Sequence, residues 1–472
     1  MGWLALHFPA LPLDLLGNGS SIPLAIVEPC DGRSAVCLAN AAARRLGVQD
    51  GLGVGGARAL CATLQIRARD PAREAEALQR LAAWACQFTS QLSLEPDALL
   101  LEVGRSARLF GGLRVLVERI GAGLAELGFA TVSFLAPTPE GALQLARNGE
   151  SGEAADRAEL ERRLGTLPLA ALPLEERARR GLHDAGLRRL GELLALPRPG
   201  LARRAGADFL DWLDRLLGAA PDPRPLFTPP ATYEGRLELP AEIVAVEGLL
   251  FPARRLVHEL AGFLIGRQLG AQRLDWRLDH AGTPPSRFSL GLARPEREAE
   301  RLLALLRERL QRLDLPAPVR ALALSVDDLV PLAGRPLDLL DGRPSELGLQ
   351  LLERLQARFG AGAVTGLAVR PDHRPERAST TCAPGRRGVS GRFPARPLWL
   401  LVQAEPLALR EGRPCWQGSL ELEGERERIE SAWWAGGGVA RDYFVARTRA
   451  GERLWIYRDL RSNRWFLHGF FG

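Results

Sequence analysis

Leu182-His183-Asp184-Ala185-Gly186-Leu187-Arg188-Arg189-Leu190-Gly191-Glu192-Leu193 is the stretch that decides the fold. It reads as the end of one helix, a tight turn at Gly186 and the start of a second amphipathic helix. After Leu196-Pro197-Arg198-Pro199-Gly200 a further helix begins at Leu201. This is the pattern of a helix-hairpin-helix. The hairpin amides of such a unit, with the next helix N-terminus, can hold a DNA phosphate. Gly186, Leu187 and Gly200 are its turn positions, and Arg188, Arg189, Arg203 and Arg204 would add charge-assisted contacts. An ordinary αα-hairpin packed in a helical domain fits the same pattern.

Upstream, residues 3–8 and 22–28 read as strands, the second closed by a turn at Cys30-Asp31-Gly32. Residues 39–46 form an Ala- and Arg-rich helix ending at Gly47, and another begins at Gly55. Residues 70–88 carry Ala72, Ala75, Leu78, Leu81, Ala82 and Cys86 at helical spacing. Strands at 98–103 and 131–135 flank a helix at 113–127. Strands separated by helices imply an α+β or α/β domain of about 160 residues. Downstream, Pro221-Asp222-Pro223-Arg224-Pro225 is a stiff linker. Residues 231–330 mix strands (274–278, 320–325) with helices at 254–269 and 295–312, Pro295 taking the first helical position. Residues 371–397 set Arg374, Arg377, Arg386, Arg387, Arg392 and Arg396 against Asp372 and Glu376, a basic, mobile segment. Residues 398–472 are dense in aromatics with frequent turn signals, a small β-rich module. The fold class is α+β, multidomain.

Composition narrows the chemistry. The 472 residues suggest about three domains, and 46% hydrophobic with 25% charged residues is ordinary for a globular chain. All 62 basic residues are arginine. Absent lysine excludes a P-loop ATPase, a Schiff-base enzyme and a lysine nucleophile. A net charge of +6 favours a polyanionic partner mildly. The six cysteines include no C-x-x-C pair, and His258, His280 and His373 stand alone, so no metal site is expected. Gly51-Leu52-Gly53-Val54-Gly55-Gly56 fits G-x-G-x-x-G, but a helix precedes it where a dinucleotide site needs a strand. The N-terminal residues lack the basic leader of a signal peptide, and no apolar run reaches about 18 residues. A soluble, intracellular protein is expected.

Read together, these pieces resemble the Y-family translesion DNA polymerases, and more closely the catalytically defective members found in bacterial mutagenesis cassettes. Ala39-Asn40-Ala41-Ala42-Ala43-Arg44-Arg45-Leu46-Gly47-Val48 resembles the family's fingers signature. Ser106-Ala107-Arg108-Leu109-Phe110-Gly111 resembles the stretch after its second catalytic motif. The resemblance implies a right-hand architecture: palm at 1–25 and 89–160, fingers at 26–88, helix-hairpin-helix thumb at 161–228, little finger at 231–335. A clamp-peptide region and basic linker at 336–397 and a C-terminal interaction module at 398–472 would follow.

Nucleotidyl transfer needs two divalent ions about 3.5–4 Å apart, held by carboxylates. The family's first strand ends in an Asp ligand. Here Leu4-Ala5-Leu6-His7-Phe8-Pro9 puts His7 at that position and Pro9 at the next acidic one. The family's second motif is Ser-x-Asp-Glu, and Ser93-Leu94-Glu95-Pro96-Asp97-Ala98 stands in its place. One alignment sets Glu95 and Pro96 at the acidic pair, a shifted one Asp97 and Ala98. Either way at most one carboxylate remains, a poor home for paired Mg²⁺. The fingers Tyr aligns with Ala41, Arg44 remains as a triphosphate remnant, and the palm Lys has no counterpart.

The resemblance therefore implies a non-enzymatic adapter in damage-induced translesion synthesis. It would need no cofactor and work at replication forks on the bacterial nucleoid. Its expected partners are DNA, the sliding clamp, a RecA-like accessory protein and an error-prone C-family polymerase. Leu337-Asp338-Leu339-Leu340 keeps part of a clamp peptide but lacks its Gln. Trp433, Trp434, Tyr443 and Trp455 are candidate partner contacts, or the core of the β module. A weakly active polymerase using Mg²⁺ with Glu95 or Asp97, and a protein hub that binds no DNA, are the alternatives.

Overall fold

The first strand, β1 (Trp3–His7), carries Leu4, Ala5 and Leu6, all fully buried. A strand apolar on both faces needs cover on both faces, and β1 has it. Ala5 belongs to one core and Leu4 and Leu6 to another. The computed structural model describes residues 2–16, 22–30, 33–332, 346–360, 362–370, 372–382, 396–431 and 438–471. They fall into two compact units, Met1–Arg358 and Phe359–Gly472.

Unit one begins with β1, α1 (Leu11–Asp14), β2 (Leu24–Cys30), β3 (Arg33–Ala39), α2 (Ala41–Arg45), α3 (Val54–Leu60) and β4 (Gln65–Ala68). Next come α4 (Pro71–Ala85), β5 (Leu92–Leu94), β6 (Ala98–Glu102), α5 (Leu113–Glu126), β7 (Val132–Ala136), α6 (Pro139–Arg147) and β8 (Gly152–Glu153). The central sheet runs β5-β6-β1-β7-β8, and β3-β2-β4 make a small separate sheet. Helix α4 starts where Asp70 accepts the Arg73 N–H and Pro71 needs no partner. It lays Leu78, Leu81 and Trp84 on one face of the central sheet, beside Leu116, Ile120 and Leu124 of α5. Each such buried side chain contributes roughly 1.5–3 kcal/mol. The other face is covered by α6 and a helical segment: α7 (Arg157–Leu164), α8 (Glu176–Asp184), α9 (Leu190–Leu194), α10 (Arg198–Ala205) and α11 (Ala207–Leu216).

A second sheet follows, ordered β11-β10-β12-β9, from β9 (Tyr233–Ile243), β10 (Leu269–His280), β11 (Ser286–Glu296) and β12 (Val319–Val326). A short β13 (Leu329–Pro331) joins β10. Helices α12 (Leu250–Gly266) and α13 (Ala299–Leu310) cover one face over Trp276, Leu278, Leu322 and Leu324. Helix α14 spans Glu346–Phe359. The α+β multidomain class is as expected. Pro295 is a correction: it lies in β11, and the helix begins at Ala299. β11 is an edge strand, where a missing N–H is tolerated as well as at a helix start.

Unit two holds a hairpin of β14 (Gly366–Val369) and β15 (Ser379–Cys382), then β16 (Trp399–Arg410), β17 (Arg413–Cys415), β18 (Glu421–Ser431), β19 (Val439–Arg447), β20 (Arg453–Asp459) and β21 (Trp465–Phe470). The six-stranded antiparallel sheet runs β17-β16-β21-β20-β19-β18. The expected mobile segment is partly folded: Ser379–Cys382 pairs with Gly366–Val369, and Arg374 holds Asp372 at 2.7 Å. Among the described residues, no helix is long and apolar enough to cross a membrane.

Candidate functional site

The antiparallel register of β1 on β6 sets His7 opposite Ala98. That places the imidazole beside the turn Glu95-Pro96-Asp97 between β5 and β6. Phe8 N–H donates to the Asp97 carbonyl at 3.0 Å. His7 Nδ1 lies 3.2 Å from the same carbonyl and 3.4 Å from Asp97 Oδ2. Burial lowers the His7 pKa, against the opposing pull of Asp97, so the ring is held neutral.

Two arginines complete the cluster. Arg147, at the C-terminal end of α6, holds Asp97 in a fork: Nε donates to both oxygens at 3.1 Å and Nη2 to Oδ1 at 2.5 Å. The same Nη2 lies 3.7 Å from Glu95 Oε2. Arg224, from the segment after α11, donates to Glu95 Oε1 at 2.6 Å and to Asp222 at 3.0 Å, and also binds Glu140. Glu140 in turn accepts from Trp212 Nε1 at 2.7 Å and from Gln144 at 3.0 Å. Burial would lower the Arg224 pKa, but Asp222, Glu140 and Glu95 outweigh it and raise it. Its charge is permanent.

A pair of divalent ions would need the oxygens of this turn free and a third carboxylate on β1. His7 supplies nitrogen there, and Glu95 and Asp97 already accept from guanidinium groups. The donor set does not fit paired Mg²⁺, a hard ion that prefers oxygen. Among the described residues, no three His, Cys, Asp or Glu side chains are grouped to hold a metal ion. A cavity of about 360 Å³ opens beside His7, Pro9, Pro96 and Asp97, walled by Glu28, Cys37, Arg69 and Glu74. Its arginine is already paired, Arg69 to Glu74 at 2.9 Å and to Glu28 at 3.2 Å. Arg44 is a correction. It does not line this cavity; its guanidinium donates to the Ala39 carbonyl at 2.9 Å and to Asp50 at 3.3 Å.

The hairpin between α8 and α9 turns at Gly186, whose φ of 85° favours glycine. Its amides are not open to a phosphate. Arg188 and Arg189 N–H both donate to the Glu192 carboxylate, at 2.5 and 3.1 Å, which lowers the Glu192 pKa. Leu187 is half-buried against the core, and Gly200 lies inside α10 with its N–H on the Pro197 carbonyl. Arg188 and Arg203 reach local carbonyls, His183 and Pro199 respectively. What the segment offers a polyanion is guanidinium: Arg188, Arg189, Arg203 and Arg204 are all exposed, and α8 packs on α10.

Sequence reading missed a second charged surface, the outer face of the β11-β10-β12-β9 sheet. The alternation Arg273-Leu274-Asp275-Trp276-Arg277-Leu278-Asp279 was its signal. Leu274, Trp276 and Leu278 go to the core, and the charged residues face outward in pairs. Arg273 meets Asp275 at 2.9 Å; Arg277 and Arg236 meet Asp279 at 2.7 and 2.6 Å.

In unit two, Tyr443 and Trp455 are buried, 1% and 2% exposed, with ring centroids 4.1 Å apart. They are module core, which corrects their reading as partner contacts. Trp433 and Trp434, and Leu337, Asp338, Leu339 and Leu340 of the clamp-peptide candidate, lie outside the described residues.

Comparison with known proteins adds the following. Residues 20–135 match the impB/mucB/samB family model. Two curated relatives, Protein ImuB from two strains of Caulobacter vibrioides (NA1000/CB15N and ATCC 19089/CB 15), are each 29% identical over 462 residues, covering 90% of this chain and all of theirs. Among solved structures, an insertion ternary complex of Dbh DNA polymerase matches with 17% identity and a TM-score of 0.40, covering 70% of this chain and 99% of that one. DinB from Sulfolobus solfataricus matches with 17% identity and a TM-score of 0.38, covering 71% and 100%.

Proposed function

The chain is a homologue of ImuB with an impB/mucB/samB domain, and from that premise we propose that it is a non-catalytic, polymerase-shaped adapter that grips DNA and recruits others to copy it. In this reading the β5-β6-β1-β7-β8 sheet is the palm and the β3-β2-β4 sheet the fingers. Helices α7 to α11 are the thumb, and the β11-β10-β12-β9 sheet with α12 and α13 is the little finger.

One observation carries the proposal. The carboxylates of the turn where a polymerase would bind metal, Glu95 and Asp97, are held by Arg224 and Arg147. A guanidinium on a carboxylate does electrostatically what a cation would, but it cannot lower the pKa of an attacking hydroxyl by direct coordination. The exposed thumb arginines support DNA binding through the phosphates, a contact that positions without reading sequence. The adapter's partners are an error-prone C-family polymerase that performs synthesis, the sliding clamp and a RecA-like accessory protein, met at damaged replication forks.

The test is a primer-extension assay on the purified chain with Mg²⁺ or Mn²⁺, beside a DNA-binding titration on the same primer-template. The proposal expects binding whose log affinity falls with log salt, and no extension. Template-dependent incorporation abolished by Glu95→Ala would establish a weak polymerase instead. Absent DNA binding at low salt would leave a protein-only hub.

A further inference from the structure

The segment joining the helical region to the second sheet, residues 217–232, has the composition of a spacer. Domains joined by such a spacer move relative to one another unless a substantial interface holds them. Here the spacer is tied down. Arg224 is only 11% exposed, and its guanidinium sits on Glu95, Asp222 and Glu140. Three residues on, the Phe227 N–H donates to the Leu92 carbonyl at 2.7 Å, on the free edge of β5. The Phe227 ring packs against both the α4-side core and the core of the second sheet.

A second tie lies beyond it, where α12 docks on α4. Gly262 and Gly266 let the two helices approach closely. A Cβ at 262 would lie 2.1 Å from the Trp84 ring, and one at 266 would lie 2.8 Å from the Gln87 backbone nitrogen. Glu259, 1% exposed, accepts from Tyr233 at 3.1 Å and faces Arg80 at 3.4 Å. Arg255 donates to the Asp14 carbonyl at 2.9 Å and lies 4.1 Å from the Phe129 ring centroid.

We infer that the acidic turn at the end of β1 is a mooring point: Glu95 binds Arg224 to pin the linker, and with the α12–α4 contact this fixes the second sheet against the first in one arrangement before any nucleic acid arrives. The old metal-binding corner has become a structural joint. Removing either tie alone leaves the other, so each reports on itself. The inference does not depend on the adapter reading, because an active enzyme of this shape would be moored in the same way.

Hydrogen exchange on the full chain tests it, with chymotrypsin as a second probe at the Phe227–Thr228 bond. The Phe227 amide of the unaltered protein should exchange at least about 100-fold more slowly than a free chain, and the bond should resist cleavage. Arg224→Ala should speed exchange at Phe227 about tenfold or more and open the bond, while α12 amides around Gly262 stay protected. Arg224→Lys, which keeps charge but loses the fork, should fall between. Trp84→Ala should do the reverse, loosening α12 and sparing Phe227. A Phe227 amide that exchanges at the free-chain rate in the unaltered protein overturns the inference whatever the variants do. So does an Arg224→Ala protein that matches it in both probes.

Discussion

Arg224 and Glu95 are 129 residues apart in the chain, and their side chains meet at 2.6 Å in the corner where a polymerase of this shape would coordinate metal. The pairing explains why an acidic residue persists there without a catalytic partner: it neutralises a guanidinium that is itself nearly buried. An uncompensated charge left in such a place costs several kcal/mol, so the two residues sustain each other.

The first prediction concerns resurrection of catalysis. His7→Asp with Pro96→Glu restores the expected acidic pattern of the two motifs. We expect primer extension to stay at background in that double variant. Arg147 still grips Asp97 at 2.5 Å, and Arg224 still grips Glu95. A double variant that extends a primer would show that the arginines yield to metal, and would favour the weak-polymerase reading.

The second concerns the DNA grip. Arg189→Glu with Arg204→Glu reverses two exposed guanidiniums and leaves the Arg189 N–H on Glu192 untouched. Affinity for primer-template DNA should fall at least about tenfold at low salt. The slope of log affinity against log salt should fall by roughly 0.7–0.9 for each phosphate no longer neutralised. Unchanged affinity and slope would remove the helical segment from the interface.

Much of the fold was legible because its signals are local. The all-apolar run Leu4-Ala5-Leu6 marks a doubly covered strand, and Asp70-Pro71 marks a helix start. β3 was missed because Arg33 and Ser34 are exposed and the strand alternates weakly. Pro295 misled because its missing N–H suits a helix start and an edge strand alike. At the site, His7, Glu95 and Asp97 were readable from motif position. Their partners were not. Nothing local distinguishes Arg147 or Arg224 among 62 basic residues, since each acts across 50 or 129 residues of chain. The hairpin showed the opposite failure: its sequence announced free amides, and Glu192, four residues after Arg188, takes them.

The third prediction follows from the paired outer face of the second sheet. Burial would raise the Asp279 pKa, but Arg277 and Arg236 outweigh it and lower it. The carboxylate is therefore ionised at neutral pH and cancels cationic charge. Asp279→Asn would release both guanidiniums toward solvent. If this face meets DNA, affinity should rise several-fold and the salt slope should steepen by about 0.9, the increment for one more neutralised phosphate. An unchanged titration would assign the grip to the helical segment alone.

The fourth concerns acid stability of unit two. His468 is 4% exposed, its ring parallel to Trp455 within 3°, at a centroid distance of 5.9 Å. Its Nδ1 lies 2.8 Å from the Tyr443 hydroxyl, which accepts from Arg441 at 3.1 Å. That hydroxyl has its proton to give to Nδ1, so the neutral ring carries its own proton on Nε2. Burial pushes the His468 pKa down to about 4, with Glu376 opposing and Arg441 assisting. In the unfolded chain the ring takes its proton near pH 6.5. Between those values the unfolded state binds more protons, so folded stability is full above about pH 6.5 and is lost as pH falls toward 4. The loss is at most about 3 kcal/mol. Hydrogen exchange at Leu454, Trp455 and Ile456 of β20, corrected for intrinsic rates, should report it as protection declining through that window. His468→Gln should flatten the decline, since Gln takes up no proton there. The nearby Asp442 and Asp459, whose pKa values lie below the usual carboxylate range, act only at lower pH. A decline that persists unchanged in His468→Gln would place the proton elsewhere.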